Sequence, residues 1–267
     1  MKKIIISLAP VAAGTSIDLA TLVDDVKKSV ELGASMCHLH CRRPDGTLTP
    51  DITFFTECFD KIRNETDVIV QASTGGVSNM TIEERCYPLN YDKVETASLN
   101  GGTTNLGDSI YINTFDDIAY CADMVYEKNI LPEIEVFDIG MINNIQLTAK
   151  SHPFKDPILL NLVFGHKGGM QPNIDSLIAF RSMVPQNMLW GVTHYGRDNW
   201  DFLSAAIAMG ASVVRIGFED SNYISETEKA VYNHQLIKRL VSLIESMGYA
   251  PATVTEARNI LKLKQVN

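Results

Sequence analysis

Met36-Cys37-His38-Leu39-His40-Cys41 is a short apolar run with histidines at alternate positions. On a β-strand alternate side chains share a face, so both imidazoles point to one spot. Working outward, comparable β-rich runs recur at Ile4–Ala9, Val68–Ser73, Lys93–Ser98, Glu133–Asp138, Ile158–Phe164, Met188–His194 and Ser212–Asp220, eight with the first. Longer segments with helical spacing lie between them at Ile17–Leu32, Asp51–Asn64, Phe115–Lys128, Ile174–Met183, Asn199–Met209 and Ser225–Met247. Gly33 follows the first of these as a helix C-cap does.

Strands and helices alternating at roughly 30-residue spacing call for a parallel sheet, and eight such units match a closed barrel. The expected fold is therefore an α/β chain forming one (β/α)8 TIM barrel over residues 1–267, with a terminal helix at Thr253–Leu263. A doubly wound open sheet is the alternative. Against it, the first strand is followed by Ala9-Pro10-Val11-Ala12-Ala13-Gly14 rather than a GxGxxG loop, and no composition shift marks a domain boundary. The barrel also predicts that polar residues collect at the C-terminal ends of the strands, where such folds place their active sites. His38, His40, Gln71, Ser73, Thr96, Ser98, Glu133, Glu135, Asn161, His194, Arg215, Glu219 and Asp220 follow that rule.

Composition excludes several classes. Hydrophobic residues are 45% and charged residues 21% of 267, as in an ordinary globular protein, and there is no low-complexity tract. A net charge of −9 without a clustered Lys/Arg surface argues against a nucleic-acid partner. The opening MKKIIISLAP is broken by Pro10 and reads as a strand rather than a signal peptide. No apolar stretch approaches the ~20 residues needed to span a bilayer. Five irregularly spaced cysteines fit neither a disulfide framework nor a CxxC knuckle, so reduced thiols in a cytoplasmic protein are expected. Cys37 and Cys41 flank the histidines, but burial as small apolar residues is their simpler role.

Two neutral imidazoles suit zinc, and their placement at a barrel strand's end beside carboxylates strengthens that reading over satisfied core histidines. In Ser212-Val213-Val214-Arg215-Ile216-Gly217-Phe218-Glu219-Asp220 the inward face carries Arg215, Gly217 and Glu219, so Glu219 can complete a His2Glu metal set with an open position. Asp220 can turn back towards Arg215, as a catalytic pair or as an ion pair closing the barrel. Ser73-Thr74-Gly75-Gly76 and Ser98-Leu99-Asn100-Gly101-Gly102 are either polar loops facing one ligand or tight βα turns. Lys167 and Arg197, on later loops, could meet phosphates or simply be solvated.

At this point the sequence resembles the β-keto acid cleavage enzyme family along nearly its whole length. The matches are His38-Leu39-His40 with Arg42 and Pro44-Asp45-Gly46, Ser73-Thr74-Gly75-Gly76, and Leu99-Asn100 with Asn105 and Gly107. They continue through Pro132-Glu133-Ile134-Glu135-Val136, Gly168-Gly169-Met170, Gly196-Arg197 and Arg215-Ile216-Gly217-Phe218-Glu219-Asp220. The resemblance implies a (β/α)8 barrel, a homo-oligomer with a tetramer favoured, and zinc at His38, His40 and Glu219. It implies two small-molecule partners, a β-keto acid and acetyl-CoA as co-substrate, giving acetoacetate and a new acyl-CoA. It further implies Ser73, Gly76, Ser98 and Asn100 near the substrate, Asp220 and Arg215 as the proton-transfer pair, and Glu135 as a further catalytic residue. Ser98 stands where the family usually has Thr and keeps the hydroxyl. Gly14 stands where members acting on the aminohexanoate have a substrate-binding Glu, so this position predicts a different tail preference. The competing function is a metal-dependent hydrolase of the amidohydrolase type, which His166, His194 and Asp220 would suit. That class places its HxH on the first strand, whereas Ile4–Ala9 precedes it here. A non-catalytic binding barrel is the third reading, and CoA dependence separates all three.

Overall fold

In a computed structural model, which describes residues 1–265, the eight runs form eight parallel strands. They are β1 (Lys3–Leu8), β2 (Met36–Leu39), β3 (Ile69–Ser73), β4 (Thr96–Asn100), β5 (Leu131–Val136), β6 (Leu159–Phe164), β7 (Leu189–His194) and β8 (Val213–Ile216). Each pairs with the next, and β8 pairs back onto β1 with Val213 opposite Ile5, which closes the sheet. Closure leaves no edge strand with unpaired backbone groups. The chain is thus a single-domain (β/α)8 barrel; Val266 and Asn267 lie outside the described residues. No helix among the described residues is long and apolar enough to cross a membrane.

The helices are α1 (Leu19–Leu32), α2 (Thr53–Glu65), α3 (Ile82–Arg85), α4 (Phe115–Glu127), α5 (Ile139–Thr148), α6 (Ile174–Met183), α7 (Asp201–Ala208), α8 (Asn233–Ser246) and α9 (Val254–Ile260). Asp18 caps α1 by accepting from Thr21 N (2.8 Å), and Gly33 ends it with φ near +125°. Helix α8 starts at Asn233 rather than Ser225, because Tyr223–Ser225 and Glu228–Lys229 pair as an antiparallel ribbon before it. Helix α5 escapes the sequence pattern: Gly140, Asn143 and Asn144 weaken its helical propensity, and packing of Met141, Ile142 and Ile145 against the barrel overrides that weakness. A second ribbon, Thr104–Leu106 with Ser109–Tyr111, leans over the barrel mouth from the loop after β4.

Inside the barrel the side chains form layers. The lowest is apolar: Ile5, Met36, Ile69, Leu131, Leu159 and Val213 close on Ala257 and Leu261 at the C-terminal end of the chain. Arg258 of α9 is fully buried there, bonded to both Glu95 oxygens (2.7 and 3.0 Å) and to Asp67 (2.8 Å). Strand β4 begins at Thr96 rather than at Lys93, although the Glu95 backbone already bonds to both neighbours, through its N to Val70 O (3.1 Å) and its O to Leu131 N (3.1 Å). The layer above is polar, built from His38, Gln71, Glu133, Asn161 and Thr193, all buried. Four residues expected at strand ends, Gln71, Thr96, Glu133 and Asn161, therefore lie below the barrel mouth.

Candidate active site

The C-terminal mouth of the barrel opens into a cavity of about 550 Å3. His40, Arg42, Glu135, Arg215, Glu219 and Asp220 share its polar wall. His38, directly beneath, is fully buried. Strand β8 ends at Ile216, so Glu219 is carried by the following turn, not by the strand as its alternation suggested. The turn is tied to the loop after β1: Ala9 N donates to Ile216 O (2.9 Å) and Glu219 N to Ala9 O (3.1 Å). Only glycine fits at 217, where φ is near +152° and a Cβ would meet Ala9 O at 2.1 Å. That close approach swings Glu219 over the two histidines.

One ligand atom from each of His38, His40 and Glu219 lies within 4.8 Å of the others. His40 Nε2 is 3.2 Å and His38 Nε2 3.8 Å from Glu219 Oε1. The far nitrogens are spoken for: His40 Nδ1 faces Gly75 O (3.1 Å) and His38 Nδ1 faces Gln71 Oε1 (2.9 Å). Because a carbonyl oxygen only accepts, each Nδ1 is the donor of its bond; His38 Nε2 then keeps its lone pair, while His40 Nε2 faces the Glu219 carboxylate. His38 Nε2 is buried without a hydrogen-bond partner. Such an orphan next to a second imidazole nitrogen and a carboxylate fits a divalent metal well. Burial pushes the His38 pKa down to about 3 despite the nearby Glu219 charge, so it stays neutral and ligand-ready. For Glu219, burial alone would raise the pKa, but His40, Arg215 and His38 outweigh it and hold the carboxylate well below its usual range.

Beside the triad, Arg215 binds Asp220 through two bonds, Nε to Oδ2 (3.1 Å) and Nη2 to Oδ1 (2.6 Å). Its Nη1 donates to Glu135 Oε1 (2.9 Å), and Nη2 stands 3.3 Å from Glu219 Oε1. One guanidinium thus organises three carboxylates. Burial pushes Glu135 up to about 7 against the pull of Arg215. Burial likewise raises Asp220, again opposed by Arg215. A buried carboxyl with raised proton affinity, held in a fixed orientation at a cavity wall, has the properties of a general base.

Leu48, Val77, Leu106, Phe137 and Val163 give the cavity wall its apolar part. Tyr111, Tyr195 and His166 complete the rim; the His166 and Tyr195 rings stack with centroids 3.9 Å apart. Gly76, at φ near +128°, lets Leu48 lie across this wall, since a Cβ there would meet Leu48 Cδ1 at 2.6 Å. Gly75 and Gly76 face the cavity, while Ser73, Ser98 and Asn100 lie behind its wall, each no more than 4% exposed. Ser98 Oγ donates to Ser73 Oγ (3.3 Å), and Asn100 Oδ1 accepts from Gly102 N (3.0 Å), holding the turn after β4. Gly14 is exposed in the loop after β1, next to Ala13, which does reach the cavity. His194 borders a separate hollow with Asp198 and Asp201. Lys167 is exposed and paired with Asp108, whereas Arg197 is not a solvated loop charge: it is buried against the Trp200 ring, 4.0 Å from its centroid. Tyr111, Phe137 and Tyr195 were invisible to sequence reasoning, because nothing local marks a ribbon or loop residue as leaning over a barrel mouth.

Comparison with known proteins agrees with this architecture. The family model for the beta-keto acid cleavage enzyme matches residues 16–263. The 3-keto-5-aminohexanoate cleavage enzyme of Fusobacterium nucleatum subsp. nucleatum is 37% identical over 90% of this chain and 88% of its own length. The 3,5-dioxohexanoate:acetyl-CoA acetone transferase of Paraburkholderia graminis is 28% identical over 98% of this chain and 96% of its own. Among solved structures, the apo structure of ObcA aligns with 94% of this chain at a TM-score of 0.74 and 15% identity, a likeness of fold alone, and this chain spans 65% of that protein's length. With a matching family model over nearly all its residues and a relative well above 30% identity, the chain belongs to the β-keto acid cleavage enzyme family.

Proposed function

We propose that this enzyme condenses a β-keto acid bearing an uncharged tail with acetyl-CoA and releases acetoacetate and a new acyl-CoA, using zinc held by His38, His40 and Glu219. The observation that carries the reading is the cavity whose lining brings His40 and Glu219 of the metal-ready triad, with His38 beneath them, together with the Arg215–Asp220 pair. The metal supplies a Lewis acid for the negative charge that develops on the substrate's keto oxygen. Asp220 takes the proton from C2. Arg215 holds that carboxylate by both oxygens, so the base is aimed before the substrate arrives. The C2 carbon then attacks the thioester carbonyl of acetyl-CoA and CoA thiolate leaves. The thiolate attacks the original keto carbon, the C2–C3 bond breaks, and the departing acetoacetate carbanion is reprotonated, with Asp220 the nearest acid. Glu135, bonded to the other side of Arg215, buffers the charge of that pair as its proton comes and goes. Gly75 and Gly76 present backbone at the cavity; Ser73 Oγ accepts from Gly75 N (3.1 Å), which leaves the Gly76 N–H to meet a substrate oxygen, and Ser98 supports Ser73 from behind. Acetyl-CoA enters through the mouth between the Thr104–Tyr111 ribbon and Tyr195, and a homo-oligomer, with a tetramer favoured, is its working form.

The preference for an uncharged tail follows from the part of the cavity lining that Leu48, Val77, Leu106, Phe137 and Val163 supply. It is apolar, and the three carboxylates in the cavity are all engaged by Arg215. Gly14 offers open space and no charge. An ammonium on the tail would be desolvated without a partner, at a cost of several kcal/mol. Arg42 faces the cavity with its Nε unpartnered, which favours a dicarboxylic keto acid as the second choice. A panel of matched β-keto acids with neutral, anionic and cationic tails, assayed with acetyl-CoA, tests the reading. The neutral tail should give the highest kcat/KM. A preference for the amine would mean that a carboxylate such as Asp45 or Glu135 recognises it.

A further inference from the structure

Beneath the metal-ready triad a line of side chains crosses the barrel that the proposed reaction does not use. Thr193 Oγ1 donates to Asn161 Oδ1 (3.0 Å), and Asn161 Nδ2 donates to Glu133 Oε1 (2.7 Å). Gln71 Nε2 donates to Glu133 Oε2 (2.8 Å), and the other end of that amide, Oε1, meets His38 Nδ1 at 2.9 Å. Every member is at least nine-tenths buried, and Glu133 is 1% exposed at the centre. Water therefore does not compete for these groups, and each donor must find its acceptor within the line.

Glu133 is the one member that, when ionised, can only accept; Asn, Gln, Thr and neutral His each offer a donor and an acceptor. Both of its oxygens face amide nitrogens, an arrangement that suits the carboxylate, since a proton on either oxygen would point at an N–H. Burial raises its pKa, and Gln71, Arg215 and Asn161 oppose that rise by favouring the ionised form. The polarity of the whole line is then fixed from its middle.

We propose that Glu133 is the positioning residue that sets the tautomer of His38. By accepting at Oε2 it turns the Gln71 amide so that the carbonyl end meets His38 Nδ1, which must carry the proton, and Nε2 is left free for the metal. The inference rests on the reading of His38 as a metal ligand. Without the acceptor-only group, Gln71 can present its NH2 to Nδ1, and the proton moves to Nε2, where it faces the Glu219 carboxylate across 3.8 Å and excludes the metal. Glu133→Gln forces that choice, because the new amide must set its NH2 against one of two donors. Turning Asn161 to relieve the conflict takes away the acceptor of the Thr193 hydroxyl, whereas turning Gln71 leaves the His38 proton facing the negative charge of Glu219 across 3.8 Å, an attraction that needs no hydrogen bond. The second relief is favoured.

The test is nitrogen-15 NMR of histidine-labelled, metal-free protein, which reads the His38 tautomer directly, paired with a zinc titration. The wild-type protein should show the Nδ1–H form. Glu133→Gln should shift His38 towards Nε2–H and weaken zinc binding by about tenfold to a hundredfold, the usual range for losing an outer-shell partner. The double exchange Gln71→Glu with Glu133→Gln keeps the same atoms and charge in the line while restoring an acceptor at His38 Nδ1. It should recover both the Nδ1–H form and the affinity, a rescue that loss of packing alone would not give. An unchanged tautomer in a folded Glu133→Gln variant, or no recovery in the double exchange, overturns the relay. If instead zinc leaves the wild-type His38 signals unmoved, the ligand reading fails, and the tautomer measurement still judges the relay by itself.

Discussion

At the scale of single residues the site is a division of labour among charges that could otherwise cancel. Arg215 holds Asp220 by two bonds and Glu135 by one, so the proposed base is oriented by a group that is itself fully engaged. Asp220→Asn keeps the shape but removes the lone pair that would take the C2 proton. The expected result is a fall in turnover of about 10²–10⁴-fold with metal content unchanged, because Asp220 is not a ligand. Deuterium exchange at C2 of a bound keto acid is the direct readout, and undiminished exchange in the variant would assign the proton transfer elsewhere. Much of this was readable beforehand: alternate histidines on a strand share a face, and Glu219 and Asp220 stand together after Arg215. What could not be read was depth. Gln71, Glu133 and Asn161 look like rim residues in sequence, yet the strand register sets them one layer down, because spacing within a strand says nothing about its height in the barrel.

At the scale of elements, the loop after β1 and the turn after β8 act as one unit. The Gly217 approach to Ala9 joins them, and Asn233, at the start of α8, locks the joint: its Oδ1 accepts from Phe218 N (2.8 Å) and its Nδ2 donates to Pro10 O (3.1 Å). Asp25 of α1 holds Asn233 in place by accepting from its backbone N (2.7 Å) and Nδ2 (2.9 Å). Asn233→Ala leaves Phe218 N and the Asp25 carboxylate short of a partner, each lost bond worth about 1–3 kcal/mol when buried. Because Phe218 adjoins Glu219, zinc affinity should fall about tenfold along with Tm, as for other losses of outer-shell support. Titration calorimetry with zinc checks it; a lowered Tm with unchanged zinc affinity would show that Asn233 serves stability only. Sequence spacing could not reveal this staple, since Asp25 and Asn233 are far apart in the chain and Asn233 falls inside the segment Ser225–Met247, which reads as one continuous helix.

At the scale of the whole molecule, the barrel separates stability from chemistry along its axis. Apolar residues and the Arg258 cluster close the N-terminal end, a polar layer lies above them, and charged groups gather at the mouth. The eight strands were legible because closure needs every strand to be buried on both faces, which writes an apolar run at each turn of the barrel. Helices α3 and α5 and the two ribbons were not, since α3 is a single turn and the conformation of the others is dictated by the neighbours they pack on. The cavity at the mouth is where the whole account meets its reaction: carbon–carbon cleavage by acyl exchange with CoA, as against hydrolysis. Turnover of a neutral-tailed β-keto acid with acetyl-CoA carrying carbon-13 at its carbonyl measures this directly by NMR. The label should appear at the keto carbon of acetoacetate, with an equal amount of unlabelled acyl-CoA formed from the substrate's tail. Label recovered as free acetate, with no new acyl-CoA, would contradict it and point to a hydrolase.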